Sequence, residues 1–146
     1  MSYSKLLVFI CISFFQINLL FAQASQKMPQ IMTLPKGVVE LHIQVDKSQV
    51  EIIKTKGSRI SIETNVKISQ GSLPLLKYLM DNGRYDLTAR ENNQLSTFTI
   101  SPPKNKKVLL VKGEECEEAV YYKIHVPESI AFVKTFGNQD NTTAAL

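Results

Sequence analysis

Strict alternation of apolar and polar side chains constrains this chain more than any other feature. Ile60, Ile62, Thr64, Val66 and Ile68 interleave with Ser61, Glu63, Asn65 and Lys67. A repeat of two gathers one set of side chains on a single face only in an extended strand; a helix would scatter them around its circumference. The same pattern runs through 38–45, where Val39, Leu41, Ile43 and Val45 oppose Glu40, His42 and Gln44. It returns in 120–126, where Val120, Tyr122, Ile124 and Val126 oppose Tyr121, Lys123 and His125. Val50 to Lys54 supplies a shorter strand between the polar turns at 46–48 and 55–58. The first three strands therefore read as a meander or as successive rungs of a roll.

The period changes once. Leu75, Leu76, Leu79 and Met80 recur at helical spacing, with Ser72 or Leu73 as cap, Pro74 in the first turn and Asn82-Gly83 as the stop. A short helix near 73–82, apolar over most of its surface, suits the end of a sheet. Strands resume through Tyr85, Leu87 and Ala89 and then 95–100, until Pro102-Pro103 removes the ladder donors. Val108 to Val111 reads as a well-buried strand, and Ile130 to Val133 as a further one. Tyr78, Tyr85, Phe98, Tyr122, Phe132 and Phe136 are assigned to the core, and Tyr121 projects outward. The expectation is a mainly β fold of about eight short strands, forming a sandwich or a roll/solenoid-like sheet, with one short helix.

The chain opens with Lys5, an apolar run from Leu6 to Leu20, and then Ala22-Gln23-Ala24-Ser25. A basic start, an apolar centre and small residues two apart have the form of a cleaved secretory signal, with the cut placed after Ala24. The run is about fifteen residues, interrupted by Ser13, Gln16 and Asn18, where a spanning helix needs about 20. Cys11 lies inside the run rather than after small residues at its end, which argues against a lipoprotein. The expected organisation is a signal over 1–24, a lead segment over 25–37, one β-rich domain over 38–136 and a disordered tail over 137–146. The expected location is exported: periplasmic, at the cell surface or extracellular, with no retained transmembrane segment.

Without residues 1–24, sixteen basic side chains face thirteen acidic ones. Lys54, Lys56 and Arg59 gather at one turn, and Lys104, Lys106 and Lys107 at another. Neither cluster interleaves aromatic residues as a nucleic-acid surface does, so no nucleic acid is expected as a partner. Glu114, Glu115, Glu117 and Glu118 read as a solvated acidic turn, without the Asp and Gly spacing of a calcium loop. Cys116 is left with no partner for an internal disulfide, so the fold must rest on burial. Its glutamate neighbours are the opposite of the electropositive setting a nucleophilic thiolate needs.

Catalytic chemistry has no visible carrier. There is no Gly-x-Ser-x-Gly elbow, no glycine-rich phosphate loop, and no pair of carboxylates with a reason to titrate differently. His42 and His125 fall on polar strand faces, and could approach only if their strands were neighbours. Zinc would need three or four ligands in any case. No catalytic residue, metal site or cofactor is expected, and no enzyme activity. Tyr121 is the aromatic side chain left over for contact, with Lys123 and His125 beside it on the same strand face.

Several segments resemble the bacterial secreted putative-adhesin group, the head-domain proteins of β-roll or β-solenoid form. They are Val39-Glu40-Leu41-His42-Ile43, Ser48-Gln49-Val50-Glu51-Ile52, Gly57 to Ile62, and Tyr122-Lys123-Ile124-His125-Val126-Pro127. The chain departs from that group by stopping soon after Pro127, where further rungs would follow. The resemblance implies a non-catalytic envelope or cell-surface protein, an interaction or structural module whose partner is an envelope protein or a glycan. The competing expectation is a small periplasmic ligand-binding or inhibitor-like module with a pocket under the 72–83 helix.

Overall fold

The computed structural model describes residues 23–92, 94, 96–104 and 106–136. The signal-like segment up to residue 22 and the tail from 137 lie outside them. Ten strands and one helix are arranged along the described chain. The strands are β1 (Ala24–Thr33), β2 (Glu40–Ile43), β3 (Val50–Thr55), β4 (Arg59–Ile68), β5 (Thr88–Asn92), β6 (Thr97–Ser101), β7 (Leu110–Val111), β8 (Glu114–Glu115), β9 (Glu118–Pro127) and β10 (Phe132–Thr135). The helix α1 (Leu73–Asp81) separates β4 from β5.

Two four-stranded sheets face each other. The first has the order β1-β4-β9-β3 and the second β10-β2-β6-β5, with β7-β8 as a separate hairpin. Leu41, Ile43, Phe98 and Ile100 from the second sheet pack into one cluster with Ile60, Ile62, Tyr122, Ile124 and Val126 from the first. This is the sandwich among the expected forms, and burial across the two inner faces is its main stabilisation.

The expected meander is not the observed topology. β2 belongs to the second sheet, and β9 inserts between β3 and β4, parallel to β3 and antiparallel to β4. Neighbours of that kind depend on long-range packing, which a local pattern does not encode. β1 falls almost wholly within the expected lead segment 25–37, yet it pairs over ten residues with β4. Its Pro29 is tolerated because β1 is an edge strand. Gln30 fastens it to the chain entering β5: its Nε2 donates to the Leu87 carbonyl at 2.8 Å, and its Oε1 accepts from the Leu87 N–H at 3.1 Å.

The helix lies where the periodicity put it. Ser72 Oγ accepts from the Leu75 N–H at 3.4 Å, and Gly83, at φ 71°, lets its N–H close on the Met80 carbonyl at 2.9 Å. Leu76 and Met80 pack with Ala24, Val66, Ile68, Tyr85 and Cys116, so the space under α1 is filled by core side chains.

Burial departs from expectation at several positions, Val39 among them, which is exposed although Leu41, Ile43 and Val45 are buried. Tyr78 and Phe132 are exposed rather than core, Tyr78 because it turns away from Leu76 and Met80 on the helix, Phe132 because it lies on the outward side of β10, whose Val133 packs inward. Val108 and Leu110 are exposed, with Leu109 and Val111 packing inward. That run is half a hairpin, turned at Lys112 and Gly113, both at positive φ.

Candidate functional site

The outer face of the first sheet carries the residues singled out for contact. Inward Val120, Tyr122, Ile124 and Val126 force Tyr121, Lys123 and His125 outward from β9. β9 is an interior strand, so these side chains have neighbours on both sides. Tyr121 stands opposite Asn65, which stands opposite Lys27. Lys123 stands between Glu63 on β4 and Glu51 on β3. His125 stands between Ser61 and Ile53.

A cleft of about 350 Å³ crosses the first two of these rows. Its lining includes Lys27, Glu51, Glu63, Asn65, Tyr121 and Lys123, with the short 3-10 turn before β3 as a wall. Its charges are matched: Lys27 Nζ lies 2.9 Å from Glu63 Oε1, and Lys123 Nζ lies 3.1 Å from Glu51 Oε2. The hydrogen bond and charge of Lys27 hold the Glu63 carboxyl below its ordinary range, so it stays an acceptor. Ser25 Oγ donates to Asn65 Oδ1 at 3.3 Å. Tyr121 is 49% exposed. Tyr122, beneath the cleft, faces the core, and burial pushes its phenol up to about 12. Tyr121 and Lys123 thus share the cleft, while His125 sits on the same face beyond it.

The two histidines do not meet, because β2 and β9 belong to different sheets. His42 Nε2 lies 2.9 Å from Glu40 Oε1, and Lys134 also pairs with that carboxylate. Among the described residues, no three His, Cys, Asp or Glu side chains gather as a metal site would require. Cys116 is buried, its Sγ donating to the Gln70 carbonyl at 2.9 Å.

A second polar cluster lies outside the expectations drawn from the sequence. Glu118 is not part of a solvated turn: its side chain is 12% exposed, at the inward first position of β9. Arg84 grips it with two bonds, Nε to Oε1 at 2.8 Å and Nη2 to Oε2 at 2.7 Å. The Tyr85 hydroxyl donates to Oε1 at 2.6 Å, and Lys106 Nζ lies 3.2 Å from the same oxygen. Lys106 also stands over the Tyr85 ring, 4.3 Å from its centre. Burial alone would raise the Glu118 carboxyl, but the bonds from Arg84 and Tyr85 and the Lys106 charge overcome it and hold it at about 2. Arg84 Nη2 continues to the Lys107 carbonyl at 2.6 Å. The cluster therefore ties together the end of α1, the 106–107 loop and β9. One signal was available. Carrying the alternation of Val120 and Tyr122 back by two residues places Glu118 inside.

No family model matches the chain, and no curated protein does. A solved structure of a putative cell adhesion protein from Clostridium sporogenes is similar to it, with a TM-score of 0.40 and 12% identity. The match covers 78% of this chain and 48% of the other, so the chain spans about half the length of that protein. Among the described residues, no helix is long and apolar enough to cross a membrane.

Proposed function

We propose that this protein is an exported, non-catalytic interaction module of the bacterial envelope or cell surface. Its contact face is the outer surface of the first sheet, around Tyr121, Lys123 and His125. The observation that carries the reading is the half-exposed Tyr121, held on an interior strand beside a cleft whose charges already pair with each other. An aromatic side chain kept open on a rigid, otherwise polar face costs solvation and offers contact area that is already ordered. Export rests on the basic, apolar and small-residue order of the first 24 residues.

Capture from an envelope extract tests the reading, with the purified protein as bait beside the Tyr121→Ala, His125→Ala double variant. A specific partner held by the first and lost by the second supports it. Equal capture by both removes the assigned face. Export is checked by sequencing the N-terminus of protein recovered outside the cytoplasm, which should begin within a few residues of Ala24.

A further inference from the structure

We infer that the cleft across β1, β4, β9 and β3 is a subsite for a neutral oligosaccharide. This rests on the interaction-module reading and names its ligand class. The lining supplies the two things a pyranose ring asks of a protein. Tyr121 offers an aromatic surface for the apolar C–H side of the ring. Asn65, Glu63 and Glu51 offer planar oxygens for its hydroxyls, and Lys27, Lys123 and the Asn65 amide offer donors. A hydroxyl donating to an ionised carboxylate makes a stronger bond than one donating to a neutral group, and Lys27 keeps Glu63 ionised.

Charge decides between ligand classes. The two lysines and two glutamates of the lining cancel, and each lysine lies within 3.1 Å of a glutamate. A polyanion or a basic peptide would have to break those pairs before gaining its own. A neutral ligand can bond to the outward edges of the pairs and leave them intact. The volume of about 350 Å³ falls at the lower end of small-ligand sites, and the lining comes from three neighbouring strands, β1, β4 and β9, and from β3 beyond them. The donors and acceptors stand on paired β-strands, so their backbone positions are fixed before binding.

The test is an amide-resolved NMR titration of the mature protein with cellotetraose, chitotetraose, maltotetraose and mannotetraose, at low and high salt. The expected result is saturable shifts from at least one of them, centred on Asn65, Tyr121 and Lys123 and little changed by salt. Tyr121→Ala and Asn65→Ala should each weaken that binding at least tenfold, with folding checked by circular dichroism, and the exposed turn variant Lys56→Ala should not. Absence of saturable shifts with all four, or shifts centred elsewhere, overturns the inference. If Tyr121-dependent capture of a protein then persists, the interaction-module reading survives without the saccharide.

Discussion

Replacing Glu118 by glutamine should lower stability by about 2 kcal/mol at neutral pH, and by much less in acid. A carboxyl held at about 2 in the folded chain, against 4.5 ordinarily, contributes roughly 3 kcal/mol when ionised in both states. Lys106 is 30% exposed, and solvent screening at that side of the cluster brings the figure to about 2 kcal/mol. The folded value lies below the unfolded one, so the contribution is complete above about pH 4.5 and is lost as pH falls towards 2. By pH 3 more than half of it should be gone. Chemical denaturation of the wild type and Glu118→Gln at pH 7, 5 and 3 reads the difference directly, since the other carboxylates titrate alike in both. A gap that stays constant from pH 7 to pH 3, or one below about 0.5 kcal/mol at pH 7, would refute the assigned clamp.

Three further substitutions probe the interior. Thr64 is fully buried among apolar residues, and its hydroxyl has no partner among the described residues. Thr64→Val should therefore raise stability by about 0.5–1 kcal/mol, seen as a higher melting temperature, and a lower one would mean the hydroxyl is satisfied. Gly71 sits at φ 125°, and a methyl there would meet Ile68 Cδ1 at 3.0 Å and Leu75 Cδ2 at 3.1 Å. Gly71→Ala should cost about 1–3 kcal/mol in a denaturant titration, and a neutral result would show that the turn into α1 is not fixed. Leu76→Ala should cost about 2–5 kcal/mol by the same assay, because the cluster under α1 has no solvent to refill the space. A loss below 1 kcal/mol would place the helix loosely on its sheet.

The sequence exposed local geometry well and long-range partnership poorly. The alternation through 60–68 matches the inward and outward sides of β4 at every residue, and Ser72 caps α1 as its chemistry required. β1 escaped notice because its inward positions hold Gln26, Met28 and Gln30, which read as polar or ambiguous. Gln30 can face inward because its amide bonds to Leu87, and Met28 packs against the cluster under α1. The insertion of β9 between β3 and β4 was equally hidden, since strand order follows from the packing of two faces. At the site, outward placement of Tyr121, Lys123 and His125 was legible, but not their neighbours: Asn65, Glu63 and Glu51 arrive from other strands. Glu118 was legible in principle. Its charge led to a solvent assignment, while Arg84 and Lys106, remote in sequence, are what make its burial tolerable.

The outer face of the first sheet as a contact surface is tested most directly by photo-crosslinking in intact cells. A photoreactive phenylalanine analogue would replace Tyr121 in one variant and Phe132, exposed on the edge of the second sheet, in another. A discrete envelope adduct is expected from position 121 and none from position 132. An adduct from position 132 alone would contradict that expectation.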